Sequence, residues 1–574
     1  MRLKSLLFLG VFCWGTAGWA ADPTQASALL LVDSAADPEA QRDEKSFAAL
    51  LTALSFPLQS VDITQHKGID VASYPVVAVP AFSAKALDHK TRNNVFAAVK
   101  AGAFLLTDGE SPFTEKFKIR LAAPSVVTQV MDLGSQDLQI RWADKPSVQT
   151  IERMPANAFT VYYADKATAR PLVASFTYGS GHCLYFSALF DPVSGQGYSR
   201  FPHVPNILIN MLNLTPPSKH PVAEAYFDPG IRMGVPSQKL VTLWKDSGLR
   251  VIYAAAWAAG SGSSSDYQTL IASAHEKGLK VYAWFEYPHV SQRFWDKHPA
   301  CREKTATLAD AHIDWRYLMN LQDPACLEAA AEDMTRILGA YDWDGLNLAE
   351  LYFEPVSGPQ IPEQFTPMNR TMRRAFQRSH GFDPVQLFDK TSSRYWVKNP
   401  RSLAVFYRFR KRLNVQTLDF LLNRLQKTLR GNPPQGGPLQ KEIVVTVIDV
   451  LPHPDLANYL GIDLSRTLQT IRRHGATLQI EDPVMDWSLG PDRYAELGHR
   501  YKQARLPRPA ILDINLVPTH TENQVGFPTA QPTGMEALQL WRAASRQADR
   551  VCFYSESTLP DRDWQILPFA LGHE

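Results

Sequence analysis

The sequence predicts an α/β protein in which a (β/α)8 barrel follows a smaller α/β domain. Apolar strands alternate with helical patterns along most of the chain, and eight such strand and helix pairs follow residue 222. The 574 residues exceed what one hydrophobic core normally holds, so at least two domains are expected. A doubly wound open sheet would also alternate, but the strand count and the length of the second region favour a closed barrel.

The chain begins with the pattern of a cleaved secretory signal over residues 1–20. Arg2 and Lys4 precede an apolar run from residue 5 to residue 15, and small residues follow up to Ala20. We expect cleavage after Ala20 and a mature protein that is periplasmic or extracellular. No later segment approaches ~20 uninterrupted apolar residues, so no stable membrane span is expected.

Charge and composition exclude several partner classes. The formal net charge is +2 at pH 7, and removal of Arg2 and Lys4 with the signal brings it to zero. A chain balanced in this way gives no reason to expect a nucleic-acid partner held by phosphate neutralisation. Phosphate-binding glycine loops are also absent from the sequence, which disfavours nucleotides and sugar phosphates as ligands.

Residues 27–214 show the alternation of strands and helices that is typical of an α/β domain. An apolar strand at 28–32 precedes a helical stretch at 44–53, and the pattern repeats with strands at 74–82 and 103–107 and a helix at 92–101. Shorter strands follow, including a hairpin across 178–181, and the Pro-rich segment 215–221 is predicted to be a linker.

This first domain resembles the flavodoxin-like, class I glutamine-amidotransferase-like fold, especially the form attached to some glycosidases as the β-galactosidase trimerisation domain. In catalytic relatives a turn after the strand carries a nucleophilic Cys, whereas the matching turn here is Thr107-Asp108-Gly109-Glu110-Ser111. The resemblance therefore implies a non-catalytic domain, and it implies that the protein could form a homo-oligomer.

The predicted barrel occupies residues 222–574. Its eight strands, in chain order, are 223–228, 249–257, 279–286, 345–351, 443–450, 477–481, 510–517 and 550–554. The largest insertion, at about 360–430, lies between the fourth and fifth strands and is predicted to be helical.

Acidic residues stand at or near the ends of seven of the eight strands: Asp228, Glu286, Glu350, Glu354, Asp449, Glu481, Asp482, Asp513 and Glu556. The carboxyl ends of barrel strands share one rim, which is where active sites of such barrels lie. The most informative run is 344–355, because its short apolar strand ends in Glu350 and Glu354, and core packing does not explain a carboxylate there. The alternative for any single acid is a buried ion pair or a cap.

Aromatic residues accompany these acids, and the candidates for substrate contact are Trp257, Trp284, Tyr287, Tyr352 and Trp487. One aromatic residue at a rim is commonly explained by packing, but a set beside carboxylates is typical of platforms for sugar rings. His289 and His453 follow the third and fifth strands, and His289 is kept as a substrate-binding candidate. No metal ligand and no cofactor is predicted, because paired ligand spacing is lacking.

The second region resembles the glycoside-hydrolase-like barrels of secreted bacterial proteins. The resemblance rests on the run 344–355, on Val281 to Glu286 followed by Pro288-His289, and on Gly381-Phe382-Asp383-Pro384. It implies a carbohydrate ligand and hydrolysis of a polysaccharide or oligosaccharide, with Glu350 as general acid. The second catalytic carboxylate is Glu481, Asp482 or Asp513. Ala349 stands where relatives carry Asn, and Asp513 where they carry Glu.

Alternatives remain open at the level of the sequence. The barrel could bind a polysaccharide without cleaving it, during assembly or export, or the first domain could be a thiol hydrolase. The basic stretch 408–412 on a predicted helix is interpreted as a solvated face, with contact to an anionic polysaccharide as the alternative. Cys301 and Cys326 could form a disulfide, while four buried free thiols (these two, Cys183 and Cys552) are the other possibility.

Overall fold

The computed structural model describes residues 27–133, 139–164, 169–216, 223–257, 266–430, 441–487, 489–516 and 532–570. The predicted signal peptide and residues 217–221 of the predicted linker lie outside these ranges. The chain forms two compact units, of which the first comprises 1–136, 146–196 and 208–216, and the second comprises 137–145, 197–207 and 217–574. Among the described residues, no helix has the length and apolar character needed to cross a membrane.

The first unit is an α/β sheet with a parallel half and an antiparallel half. Its strand order is Leu58–Asp62, Ala28–Val32, Val76–Val79, Phe104–Asp108, Gly181–Phe186, Arg170–Tyr178, Phe159–Ala164 and Gln129–Asp132. The first five strands of this order are parallel and the last three pair antiparallel. The helices are Pro38–Ala53, Ala81–Ala86, His89–Ala101 and Pro112–Lys116. Asp37 and Asp88 cap the two long helices by accepting from backbone amides of the first turn.

The second unit contains a closed barrel of eight parallel strands, which confirms the predicted fold class. Its strands, numbered 1 to 8 from here on, are Ala223–Phe227, Leu249–Ala255, Lys280–Phe285, Gly345–Leu348, Glu442–Ile448, Thr477–Glu481, Ile511–Asn515 and Arg550–Tyr554. The bounds of strands 6 and 8 equal the predicted ones, and the others differ by a few residues at their ends. Most residues of the eight strands are buried, as expected for strands that are covered on both faces.

Helices follow every strand of the barrel. They are Ser237–Asp246, Tyr267–Glu276, Gln292–Lys297, Pro324–Ala340, Arg370–His380, Pro400–Arg430, Pro454–Tyr459, Leu464–Arg473, Asp492–Gln503, Gly534–Ser545 and Leu567–Ala570. A three-stranded antiparallel sheet of His289–Val290, Arg316–Leu318 and His312–Ile313 is inserted after strand 3. The helices Arg370–His380 and Pro400–Arg430, after strand 4, are called the helical insertion below.

Alternate residues of the strands fill the barrel interior in layers. At the amino-terminal end, Arg550 contacts Glu224 and Glu442, while Tyr253 and Tyr282 donate hydrogen bonds to these two carboxylates. A second polar layer lies above it. Here Thr446 Oγ1 donates to Asn347, Asn347 Nδ2 donates to Gln479 at 3.0 Å, and Gln479 Nε2 donates to Asp513 at 2.6 Å. These hydrogen bonds pair most of the buried polar atoms of the two layers with one another, and the barrel mouth lies above them.

Candidate active site

Three barrel strands each deliver one glutamate to a common cavity of about 540 Å³ at the barrel mouth. Glu286 directly follows strand 3, Glu350 lies two residues beyond strand 4, and Glu481 is the last residue of strand 6. All three side chains are buried. They come from positions up to 195 residues apart in the sequence, and only the closure of the barrel brings them together.

Glu350 has an unusual backbone conformation. Its φ is 50°, in the left-handed region that non-glycine residues rarely adopt. The hydroxyl of Tyr352 donates a hydrogen bond of 2.9 Å to Glu350 Oε2. Such backbone strain is concentrated at functional sites, where surrounding contacts maintain it.

Arg316 is the basic residue of the cavity and comes from the sheet inserted after strand 3. Its Nη1 lies 2.5 Å from Glu354 Oε1, and its Nε lies 3.5 Å from Glu286 Oε1. The guanidinium carbon is 4.8 Å from the centre of the Tyr352 ring. Among the described residues that line the cavity, five are acidic (Glu286, Asp314, Glu350, Glu354 and Glu481), and Arg316 is the single Lys or Arg.

The carboxyl groups cannot all be ionised at neutral pH, because burial and mutual repulsion oppose it. Burial, followed by the charge of Glu350, raises the pKa of Glu286 well above its usual range, and Arg316 only partly offsets this. Burial also raises the pKa of Glu481 well above its usual range, with further increases from Glu350 and Asp513. Glu286 Oε2 and Glu481 Oε2 are buried without a hydrogen-bond partner among the described residues. The raised pKa values favour the protonated forms of Glu286 and Glu481 in this cavity.

Aromatic and apolar side chains form the walls of the cavity. Trp315, Tyr352, Trp487 and Tyr554 line it together with Ile448, Leu456, Leu460, Pro483 and Val484. Trp315 is 46% exposed, so its face is available to a ligand. The indole nitrogen of Trp487 donates to the Asp482 carbonyl at 2.9 Å, which fixes that ring at the mouth. Apolar walls with a few convergent polar groups are typical of small-molecule sites.

Six of the residues predicted from the sequence line this cavity: Glu286, Glu350, Tyr352, Glu354, Glu481 and Trp487. The other two candidates for a catalytic carboxylate lie elsewhere. Asp482 is paired with Arg493 at 2.8 Å and accepts from Asn515, and it does not line the cavity. Asp513 belongs to the polar layer below, where burial raises its pKa well above the usual range. Glu481 is therefore the candidate that the structure places beside Glu350.

Strand parity explains why three other predicted residues miss the cavity. Adjacent side chains of a strand point to opposite faces, so a residue directly after an inward one points outward. Glu286 and Glu481 point inward, and their successors Tyr287 and Asp482 contact the surrounding helices. The Tyr287 hydroxyl donates to the Ala330 carbonyl at 2.9 Å. By the same rule Asp449 follows the cavity-lining Ile448 and pairs with Arg500 at 3.1 Å.

The remaining predicted residues have structural contacts. Trp284 is fully buried below the cavity, 5.1 Å from Tyr226 between ring centres. Glu556 is fully buried and accepts from Arg232 and from the Trp244 indole at 3.0 Å.

Three further candidates lie near the mouth but do not line the cavity. Asp228 is half-buried and accepts from the Gly230 amide at 2.7 Å. His289 Nδ1 accepts from the Tyr317 amide, and burial, followed by the charge of Arg316, lowers the pKa of His289 to about 3. Trp257 packs edge-on against this neutral ring at 5.2 Å.

The sequence-based prediction missed Asp314, Trp315 and Arg316. These residues lie on a hairpin between strands 3 and 4, where no strand-end rule applies. A disulfide between Cys301 and Cys326, with 5.4 Å between their Cα atoms, ties the start of this segment to the first turn of the helix Pro324–Ala340. Cys183 and Cys552 are free and buried. Within the described ranges, no group of three or more His, Cys, Asp or Glu side chains is arranged to hold a metal ion.

No protein-family model matches this sequence, and no curated protein sequence matches it significantly. Several solved structures are similar in part. The β-galactosidase from the psychrophilic Marinomonas ef1 is 12% identical over 61% of this chain, with a TM-score of 0.42, and the match spans 59% of that protein's length. The glycoside hydrolase domain of PgaB (BpsB) from Bordetella bronchiseptica is 13% identical over 62% of this chain and 100% of that domain, with a TM-score of 0.44. A ThuA-like protein from Bacteroides uniformis is 11% identical over 31% of this chain and 86% of its own, with a TM-score of 0.23.

Proposed function

We propose that this chain is a glycoside hydrolase that cleaves a polysaccharide or its oligosaccharides with carboxyl groups at the barrel mouth. The observation that carries the proposal is the convergence of Glu286, Glu350 and Glu481 in one aromatic-walled cavity. Hydrolysis of a glycosidic bond needs a protonated carboxyl to release the leaving group, and it needs a carboxylate that attacks or activates water. Burial and neighbouring carboxyl groups raise the pKa of Glu286 and Glu481, which favours a protonated carboxyl in the cavity at neutral pH.

The surroundings of each glutamate support a division of roles. Glu481 has the raised pKa and the unpartnered oxygen of a proton donor, so it is assigned to protonate the glycosidic oxygen. Glu350 accepts a hydrogen bond from the Tyr352 hydroxyl, which holds its carboxyl group in place, and it is assigned as nucleophile or base. The general-acid role, which the sequence suggested for Glu350, is thereby assigned to Glu481. Glu286 keeps a proton and lies against Glu350, so it is assigned to position that carboxylate.

Sugar recognition follows from the walls of the cavity. The exposed face of Trp315 and the ring of Trp487 offer apolar platforms for the C–H faces of a sugar ring. Polar side chains that line the cavity, among them Arg316 and Gln364, can pair with sugar hydroxyls. A volume of about 540 Å³ lies within the ordinary range of ligand sites.

The first experiment screens polysaccharides for release of reducing ends and aryl glycosides for release of the phenol. The kcat of each variant is then measured on the best substrate. Glu350→Gln is expected to lower kcat by about 10³-fold or more. Glu481→Gln should lose as much on natural glycans but retain activity on 2,4-dinitrophenyl glycosides, whose leaving group needs no proton. Glu496→Gln, an exposed acid on the helix Asp492–Gln503, is the matched control and should behave as wild type.

Two results would overturn the assignment. Unchanged glycan cleavage by Glu350→Gln removes this residue from the chemistry. Tight binding of a glycan by the wild-type protein with no cleavage across the panel favours the alternative, a polysaccharide-binding barrel that serves assembly or export.

Export and the role of the first unit are parts of the same proposal. The disulfide of the second unit supports an oxidising compartment, which agrees with the predicted signal over residues 1–20. In the first unit Asp108 occupies the turn where relatives carry a nucleophilic Cys, and its carboxylate accepts from the Ala81 and Phe190 amides. Cys183 is buried, which raises its thiol pKa and leaves it unreactive. Mass spectrometry of the exported chain should find Ala21 at its amino terminus, and iodoacetamide should leave activity unchanged.

A further inference from the structure

The helical insertion concentrates the positive charge of the chain. Residues 365–428 contain fourteen Lys and Arg but three Asp and no Glu, a net charge of +11 in a protein whose total is +2. The rest of the chain therefore carries a net charge of −9. Two of the three acids are already neutralised, because Asp383 pairs with Arg373 and Asp419 pairs with Arg473 and His474.

Most of these cations lie on exposed faces of the two insertion helices and of their connecting loop. Arg370, Arg374 and Arg378 recur at every fourth position of the first helix, and Arg401, Arg408 and Arg412 recur at spacings of seven and four on the second. Residues at such spacings share one side of a helix. The basic face, as the term is used here, consists of these six arginines with Lys390, Arg394 and Lys398 of the connecting loop. All nine are exposed, and none has a carboxylate within 4.0 Å among the described residues.

Contacts join the two helices and the connecting loop that carry this face. His380, at the end of the first helix, packs edge-on against Phe409 of the second, with 5.9 Å between ring centres. The charges of Arg412 and Arg408 reach the His380 ring and, after burial, contribute to lowering its pKa. Arg394 lies over the neighbouring Phe382 ring and donates to Ser402 at 3.2 Å, next to Arg401.

The connecting loop adds an apolar component to the charges. Val397 is 56% exposed and lies between Trp396 and Lys398 in the chain. Exposed apolar and aromatic residues flanked by Lys and Arg are typical of segments that lie at a membrane interface, where the apolar side chain enters the headgroup region and the cations remain at its surface.

The cavity of the same unit has the opposite charge, which separates the two surfaces in function. Five acids against one arginine line the barrel mouth. A polyanion attracted by the basic face would be repelled by that mouth, so the partner of the basic face differs from the substrate of the barrel.

We propose that the basic face docks the protein on a bilayer surface rich in anionic phospholipid. Clusters of this size are sufficient, since each Lys or Arg near such a surface contributes about a fivefold gain in binding. The contact is peripheral and electrostatic, and it leaves the barrel chemistry unchanged. It does not depend on the proposed glycosidase activity.

The test is sedimentation of the chain, from Ala21 onward, with large unilamellar vesicles. The omitted leader would itself partition into lipid. Vesicles of phosphatidylcholine with 30% phosphatidylglycerol are expected to bind the protein, pure phosphatidylcholine vesicles are not, and 0.5 M NaCl should abolish binding. The triple variant Arg401→Gln, Arg408→Gln, Arg412→Gln should bind about a hundredfold more weakly. A matched triple, Lys239→Gln, Lys277→Gln, Lys280→Gln, removes three exposed cations elsewhere on the second unit and should change binding less than fivefold.

Several outcomes overturn the proposal. These are equal binding to both vesicle types, equal losses in the two triple variants, or binding of a soluble polyanion such as alginate without binding to the anionic vesicles. Circular dichroism spectra and melting temperatures of the triple variants must match wild type; if the arginine triple unfolds, Arg408→Gln alone should still lose about fivefold. Glu350→Gln should bind vesicles as wild type does, so failure of docking is distinguishable from failure of the hydrolase assignment.

Discussion

The barrel mouth and the helical insertion belong to the same unit, yet they use charge in opposite ways. In the mouth, Glu286 and Glu481 are buried beside other acids, and burial with these neighbouring charges raises their pKa values. The arginines of the basic face are exposed and have no carboxylate within 4.0 Å in the part of the chain that the structure describes, so they remain charged and act at a distance. A total charge near zero is therefore the sum of an acidic barrel mouth and a basic helical insertion. Burial decides whether a charge serves chemistry or long-range attraction.

Arg410 is the exception that joins the two regions. It lies on the same helix as Arg408 and Arg412, but its side chain is fully buried. Its Nη1 donates to the Asn458 carbonyl at 2.9 Å and its Nη2 to the Glu354 carbonyl at 3.1 Å. The insertion is thereby fastened to the loop that carries Glu350 and Glu354.

The largest stability effect is expected from Arg410→Met. The variant removes two charge-assisted hydrogen bonds in a buried site, which should cost about 4 kcal/mol in the free energy of unfolding. Urea denaturation followed by circular dichroism measures it. Arg408→Met, two residues earlier on the same helix and exposed, should change stability by less than about 0.5 kcal/mol. Equal effects of the two substitutions would remove the distinction between buried and surface arginines.

The second largest effect is the pH dependence of stability caused by Glu303, which links the segment after strand 3 to the start of the helical insertion. Glu303 is fully buried and accepts from the amides of Met368 and Asn369 and from Asn369 Nδ2 at 2.7 Å. Burial raises its pKa from 4.5 to about 7. Because the folded pKa exceeds the unfolded one, the protonated acid stabilises the fold below pH 4.5, and this contribution is lost as pH rises through 7.

Glu303→Gln should therefore flatten the dependence of stability on pH. A shift of this size corresponds to about 3 kcal/mol between pH 4.5 and pH 8, which the neutral amide cannot lose. Urea unfolding at several pH values gives the curve for each variant. Glu363→Gln, an exposed acid in a neighbouring segment, should leave the wild-type curve unchanged. A Glu303→Gln curve as steep as that of wild type would show that Glu303 does not titrate between the two pH values.

The sequence was sufficient to predict the barrel, because buried parallel strands produce short apolar runs, as at Glu442–Ile448. It also identified Glu286, Glu350 and Glu481, because each closes such a run. The alternation of side chains along a strand is enough to place Asp482, directly after the inward Glu481, outside the cavity. Arg316 could not be predicted from the sequence, because it pairs with Glu354 from a hairpin whose position depends on tertiary packing.

The smallest expected stability effect tests whether the arginines of the basic face contribute nothing to the stability of the fold. Arg408, Arg412 and the end of the first insertion helix crowd positive charge around His380. Arg408→Gln should relieve this repulsion and raise stability by a few tenths of a kcal/mol at 10 mM salt, and the gain should vanish at 1 M salt because screening already removes the repulsion. Melting temperatures at the two salt concentrations measure the difference, with Lys277→Gln as the control from an uncrowded site. A loss of stability above about 1 kcal/mol would mean that Arg408 is used inside the fold, like Arg410, and that the contrast between the two regions is drawn in the wrong place.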